Sequence, residues 1–157
     1  MQGDPEIIEL LNEVLTAELT AINQYFIHAK MCENWGLHRL ASKIREESID
    51  EMRDAERIID RILYLDGVPN LQRLGSVRVG ETVPEQFALD HAVEVAAIER
   101  YNRGIVVARG KDDGGTRELF ERHLVGEEAH ADWIEQQQHL VSTVGIENYL
   151  AQQIGAD

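Results

Sequence analysis

Along four long segments of this chain, apolar residues recur at steps of three and four, which places them on one face of an α-helix. Asp4 followed by Pro5 is typical of the N-terminus of the first of these helices. The spacing predicts four long helices and a short fifth one, around residues 11–29, 37–65, 87–108, 120–144 and 146–154.

A segment without helical periodicity separates the second stripe from the third. Residues 67–83 contain three glycines and a proline, and Thr82 with Glu85 then fits a capping box that starts the third helix. Long helices joined by short, long and short connections imply a bundle whose middle link crosses its full length. We therefore predict an all-α fold, a four-helix bundle with one long crossover connection, formed by a single domain over residues 1–157.

Each predicted long helix places a glutamate in the middle of the face that should be apolar. Burying one unpaired carboxylate costs several kcal/mol, and four that converge also repel one another. One inward glutamate is ordinarily a satisfied polar group, but four at mid-helix require protons or cations that compensate their charge. These residues are Glu18, Glu51, Glu94 and Glu127, and His130 follows one turn after the last.

An internal repeat relates the first helix pair to the second. The pattern E-x-x-A-I-x-x-Y begins at Glu18 and again at Glu94, an offset of 76 residues. The same offset relates Glu51 to Glu127 and Asp54 to His130. The repeat predicts a pseudo-twofold axis surrounded by the four glutamates, with two equivalent metal positions.

The types of donor indicate which metal would bind. Glu51-x-x-Asp54 and Glu127-x-x-His130 each put two donors on one helix face, because residues three apart are neighbours. Carboxylates with some imidazole and no thiolate suit iron or manganese better than structural zinc. Glutamates can also bridge two cations, which suits a site that accepts both ferrous and ferric ions.

Charge and composition limit the partners. The chain has 29 acidic and 15 basic residues, a net charge of −14, which argues against a nucleic-acid partner and is compatible with attracting metal cations. No apolar run approaches the roughly 18 residues of a membrane span, and the N-terminus shows no secretory signal. With Cys32 as the single cysteine, these features favour the cytoplasm.

Several segments of the sequence match those of a known family: Asn23–Phe26, Glu47–Met52, Arg61–Leu63, Pro69–Gln72 and Glu127–Trp133. With them, over essentially its whole length, the sequence resembles the bacterioferritins, the haem-containing branch of the ferritin-like proteins. The resemblance implies a ferritin-like bundle and a hollow homo-oligomeric shell of 24 subunits that stores ferric mineral. A glutamate from two helices and Glu-x-x-His from the other two is the general layout of di-iron carboxylate bundles.

The resemblance also implies a ferroxidase centre in each bundle, where dioxygen or hydrogen peroxide oxidises two ferrous ions. Tyr25 matches the tyrosine beside the family's centre and would supply or relay an electron. A ferredoxin-type reductant would serve iron release. The implied metal ligands are Glu18, Glu51, Asp54, Glu94, Glu127 and His130, with Glu51 and Glu127 as the bridging pair.

Met52 matches the residue that ligates a haem b shared between two subunits in the family. A mid-helix methionine is by itself usually packing filler, and Met31, which lacks such a context, is an example. The surrounding Ser-Ile-Asp-Glu-Met segment is what extends the resemblance to haem binding.

Asp54 departs from the family pattern, which usually has histidine at this position. Five ligand carboxylates against two ferrous ions leave one excess negative charge, so we expect a shifted iron affinity or potential and a slower or less stable centre. The same departure favours an alternative, a weakly oxidising haem-binding or structural subunit of a shell mixed with a second bacterioferritin subunit.

Two further alternatives carry less support. A di-iron oxidase or peroxidase that stores nothing would need a substrate channel or a second cofactor domain, and a DNA-protecting mini-ferritin builds its site between subunits.

The remaining histidines lack a repeated partner pattern, and we interpret them as surface or packing residues: His28, His38, His91, His123 and His139.

Overall fold

The structure, a computed structural model, describes residues 1–155. Four long helices form a bundle in which the first packs along the second and the third along the fourth, and a short fifth helix packs against the end of the fourth. No strand occurs among residues 1–155, which confirms the all-α prediction. The helices are α1 (Pro5–Asn34), α2 (His38–Tyr64), α3 (Val83–Gly110), α4 (Gly114–Val144) and α5 (Ile146–Ala151).

Side-chain caps fix where the long helices begin. Asp4 accepts a hydrogen bond from the Glu6 amide at 2.8 Å, and Thr82 accepts one from the Glu85 amide at 3.3 Å, as the sequence predicted. Asp113 caps α4, so the glycine pair at 114–115 forms the first turn of that helix rather than a gap before it. The fifth helix is shorter than predicted, since it ends at Ala151.

The long connection between α2 and α3 is anchored by side chains of α1. Residues 65–82 form no helix, so their backbone amides need partners outside a regular element. Polar side chains spaced along α1 supply them and thereby hold the crossover along the length of the bundle. At 2.8–3.1 Å, the amides of Asn70, Gly75, Arg78 and Gly80 donate to Asn12, Thr20, Gln24 and His28 respectively.

Two apolar clusters fill the bundle, one on each side of a polar level. The first contains Leu11, Ile58 and Phe120, and the second contains Leu40 and Phe87. The polar level between them lies at the middle of all four long helices, where the glutamates were predicted. Within the described part of the chain, no helix combines the length and the apolar character needed to cross a membrane.

Candidate metal centre

The four glutamates of the core stripes converge between the two apolar clusters. Glu18 comes from α1, Glu51 from α2, Glu94 from α3 and Glu127 from α4, and none is more than 5% exposed. Each occupies a position whose helical neighbours pack into the core, so the same periodicity that builds the bundle turns its carboxylate inward.

The side chains predicted as metal ligands form two overlapping donor sets. Within each set, the candidate ligand atoms all lie within 4.8 Å of one another. Glu51 belongs to both sets, as a bridging ligand would, whereas Glu127 belongs to one. The first set is Glu51, Glu94 and His130, and the second is Glu18, Glu51, Asp54 and Glu127.

Two buried tyrosines contact the cluster in equivalent ways. The hydroxyl of Tyr25 donates a hydrogen bond to Glu94, and that of Tyr101 donates one to Glu18 at 2.6 Å. The two tyrosines are the last residues of the repeated pattern, so the pseudo-twofold relation extends to their contacts. Tyr101 was not singled out from the sequence, although the repeat that contains Tyr25 pointed to it.

Burial controls the protonation of the carboxylates. It is the main cause that raises the pKa of Glu18 and of Glu94 to about 7. Burial first and neighbouring carboxylates second hold the pKa values of Glu51 and Glu127 well above the ordinary range. The metal-free centre therefore retains protons near neutral pH, and bound cations would replace them.

Two carboxylate oxygens of the centre have no partner. Among the described residues, Oε2 of Glu18 and Oε2 of Glu94 are fully buried acceptors without a hydrogen bond. An unsatisfied buried acceptor costs about 1–3 kcal/mol, and these two lie in different donor sets. The donor chemistry and the free oxygens fit two divalent cations.

Asp54 contacts a basic residue, Arg57, which the charge balance made from the sequence did not include. Its Oδ1 accepts a hydrogen bond from Arg57 at 3.0 Å. Burial raises the pKa of Asp54 to about 7, and Arg57 opposes that rise. The guanidinium therefore offsets part of the excess negative charge that an aspartate introduces at this position.

Imidazoles and acids meet on both sides of the centre. His130 Nδ1 lies 2.7 Å from Glu94 Oε1 and 3.5 Å from Glu47 Oε2, and burial lowers its pKa. His123, which we interpreted as a surface or packing residue, lies next to the centre, with Nε2 3.6 Å from Asp54 Oδ1. The signal that could have found it is the 76-residue offset, which maps Glu47 onto position 123.

Two clefts reach the cluster from opposite faces of the bundle. One lies mainly between α1 and α3 and is lined by Glu18, Glu51 and Glu127 together with Glu13 near its mouth. The other lies between α2 and α4 and is lined by Glu51, Glu127 and Asp54. Carboxylates of the centre therefore line a cleft on each of these two faces.

Met52 lies outside this cluster, on the exposed face of α2. Its side chain is 57% exposed, and Ile49, three residues earlier on the same helix, and Phe26 of α1 are 39% and 46% exposed. Met31, in contrast, is half-buried and contacts Gln86. A solvent-facing thioether on an exposed apolar surface fits an axial ligand that a haem shares with a second subunit.

Comparison with known proteins gives consistent matches along the chain. Residues 8–144 match the family of the ferritin-like domain. A bacterioferritin of Mycolicibacterium paratuberculosis is 54% identical over 97% of this chain and 96% of its own length, and one of Streptomyces coelicolor is 55% identical over 96% and 90%. A solved structure of bacterioferritin from Mycobacterium tuberculosis superposes with a TM-score of 0.97 at 52% identity and covers 99% of this chain and 98% of its own.

Proposed function

Since the chain belongs to the bacterioferritins, within the ferritin-like family, we propose that it oxidises ferrous iron at the buried carboxylate cluster and stores the ferric product. Iron storage is the function that family membership supports directly. Oxidation by this chain itself is the finer part of the proposal, and it depends on the geometry of the cluster.

One observation carries the proposal. Four buried glutamates from four helices, with one aspartate and one histidine, present their donor atoms in two overlapping sets within 4.8 Å. Such a group is costly in the absence of compensating charge, and oxygen-rich donors with an imidazole suit iron. Glu51, which belongs to both sets, would hold the two ions close enough to react together.

The reaction then balances without any further cofactor. Each of two ferrous ions gives up one electron, and dioxygen takes both electrons and two protons to become hydrogen peroxide. Hydrogen peroxide as the oxidant takes the two electrons and two protons to become water. The carboxyls that hold protons in the metal-free centre release them when iron binds, and the product ions would leave for a mineral inside the shell.

The test is an anaerobic ferrous titration of the purified protein, followed by oxygen, with the visible spectrum recorded throughout. We expect two ferrous ions per subunit and rapid oxidation. Glu94→Gln should lose an ion and most of the rate, whereas Glu99→Gln, at an exposed position of the same helix, should retain both. Rapid oxidation that survives Glu94→Gln would contradict the proposed site.

Storage requires a closed assembly, and we propose a shell of 24 copies of this chain. The near full-length match to bacterioferritins supports it. The mass of the native protein tests it, and an electron-dense ferric core should appear after iron loading. A ferredoxin-type protein as reductant for iron release, and residence in the cytoplasm, stay predictions from the sequence.

We also propose that Met52 binds haem b across a subunit pair. Its exposure on α2 beside exposed apolar side chains supports this role. Met52→Leu should abolish the bis-methionine haem spectrum, and Met31→Leu should leave it unchanged. A haem spectrum that persists in Met52→Leu would rule out this ligand.

A second candidate function follows from Asp54. If the aspartate disables oxidation, the chain would serve as a haem-binding or structural subunit beside another bacterioferritin subunit. Arg57, which lies 3.0 Å from Asp54, argues against complete loss because it offsets the added charge. Rapid iron oxidation by the shell made of this chain alone would exclude the second candidate.

A further inference from the structure

His123 is a buried imidazole with an unused nitrogen. The residue is 3% exposed, lies on α4 one turn before Glu127 and faces α2 and α3 inside the bundle. Its Nε2 has no hydrogen-bond partner among the described residues, and the same is true of Oε2 of Glu18 and Oε2 of Glu94 in the centre. A buried nitrogen without a partner needs an explanation.

The hydrogen bonds around His123 determine which nitrogen carries the proton. Tyr101 donates its single hydroxyl proton to Glu18 at 2.6 Å, and the same hydroxyl lies 3.2 Å from His123 Nδ1. When Glu18 is ionised, as a metal ligand is, that proton stays in the bond to Glu18, and Nδ1 then donates to the tyrosine oxygen. Nε2 therefore carries the free lone pair, which is the state in which an imidazole binds a metal ion.

Nε2 lies close to a carboxylate. Nε2 lies 3.6 Å from Asp54 Oδ1, which is too long for a hydrogen bond. With bonds of about 2.1 Å to a first-row divalent ion, two donors at right angles on one ion are about 3.0 Å apart, and opposite donors are about 4.2 Å apart. The observed separation falls between these values and so fits two ligands of one cation.

The internal repeat shows that this pair is one half of a symmetric arrangement. The 76-residue offset relates Glu47 to His123 and Asp54 to His130. On one side of the centre the imidazole is at 130 and the acid at 47, 3.5 Å apart, and on the other side the imidazole is at 123 and the acid at 54. Each half of the centre therefore has one imidazole and one additional acid, in exchanged positions.

We propose that His123 Nε2 is a ligand of the metal ion held by Glu18, Asp54 and Glu127, so that α4 supplies the imidazole that the family usually takes from position 54. This inference depends on the proposed di-iron centre. His123 stands outside the sets whose atoms all lie within 4.8 Å, so ligation requires a small rotation of its side chain or of Asp54. Arg57, on the same aspartate, would stay as the charge partner of that ligand.

The direct test is a crystal structure of the assembled protein soaked anaerobically with cobalt(II), located by its anomalous scattering. We expect two ions per subunit, one of them within about 2.2 Å of His123 Nε2. Two ions with His123 still more than 3 Å from both would overturn this inference and leave the proposed function intact. No ions at the carboxylates would instead overturn the proposed function.

Calorimetric titration with cobalt(II) gives a second, independent readout. His123→Asn keeps a donor near the Nδ1 position and removes Nε2, so one of the two sites should weaken by about tenfold or more. His91→Asn, at a half-buried histidine that pairs with Glu135 on another face, should leave both affinities unchanged. Asp54→His combined with His123→Asn should restore the lost affinity, because α2 then supplies the imidazole. Equal affinities in wild type and His123→Asn would refute the ligand role.

Discussion

At the scale of single residues, position 54 determines how this centre differs from the family pattern. Asp54 is shorter than histidine and carries a charge, and Arg57 and His123 both lie within 3.6 Å of its Oδ1. The sequence predicted the added charge, but not the two residues that act on it. The expected slowing of oxidation is accordingly moderate.

Replacing the aspartate measures its effect on the reaction. In Asp54→His we expect single-turnover oxidation to be faster by about two- to tenfold. Mutation of the partners of metal ligands typically changes activity by about 10–100-fold, and the effect here should be smaller because Arg57 already offsets part of the aspartate charge. Stopped-flow absorbance after mixing ferrous protein with oxygen measures the rate. A trace identical to that of the wild type would show that Asp54 has no kinetic effect.

Variants of the two paired tyrosines can distinguish a hydrogen-bonding role from a role in electron transfer. Tyr25 and Tyr101 make the same bond to equivalent glutamates, so Tyr25→Phe and Tyr101→Phe remove equivalent donors. If Tyr25 relays an electron, as the resemblance implies, Tyr25→Phe alone should lose the transient tyrosyl radical detected by electron paramagnetic resonance after oxygen exposure. Loss of that signal only in Tyr101→Phe would assign the relay to the other half.

At the scale of elements, α3 and α4 approach closely at Gly104. A Cβ added there would lie 2.9 Å from the ring of Phe120, which is fully buried. The absence of a side chain at Gly104 therefore permits the helix spacing at the first apolar cluster. Gly126 of α4 has no such role, since an added Cβ would meet nothing within 4 Å.

Two glycine substitutions should consequently change stability in opposite directions. Gly104→Ala should lower the free energy of unfolding by about 1–3 kcal/mol through overpacking. Gly126→Ala should raise it by about 0.5–1 kcal/mol, because alanine favours an exposed helix interior. Thermal unfolding of the metal-free variants measures both, and a stabilising Gly104→Ala would mean that the helices can move apart at no cost.

At the scale of the whole molecule, the buried centre couples stability to pH and to metal. The pKa values of the four core glutamates and of Asp54 are raised. The folded metal-free protein therefore holds protons that the unfolded chain has already lost at neutral pH. The corresponding stability is therefore lost as pH rises. The lowered pKa values of His123, about 4, and His130 act in the opposite direction, but only below their unfolded value of 6.5.

Between pH 6.5 and 8 the carboxyls therefore contribute to the pH dependence of stability without the opposing effect of the two histidines. From pH 6.5 to pH 8 we expect the melting temperature of the metal-free protein, measured with chelator present, to fall by about 4 °C or more. This follows from ~1.4 kcal/mol per pKa unit and ~2–4 °C per kcal/mol for a chain of this size. With cobalt(II) bound, the fall should disappear, because cations replace the protons. Calorimetry with chelator and with metal measures the difference, and equal slopes would contradict a buried acidic centre.

The sequence by itself determined the helices, the crossover and the level at which the acids lie. Periodicity of 3.6 residues assigns each residue to a helix face, so Glu18, Glu51, Glu94 and Glu127 were predictable from spacing alone, and the repeat added their symmetry. These properties depend on residues near one another along the chain.

The tertiary structure alone decided which side chains from different helices meet. The contact of Tyr101 with Glu18 spans 83 residues, and that of His123 with Asp54 joins α4 to α2. Periodicity also could not distinguish an imidazole that packs from one that faces the centre, because both occupy the inner face. What distinguishes His123 from a packing histidine is its neighbour across the core, Asp54, and not the helix face on which it lies.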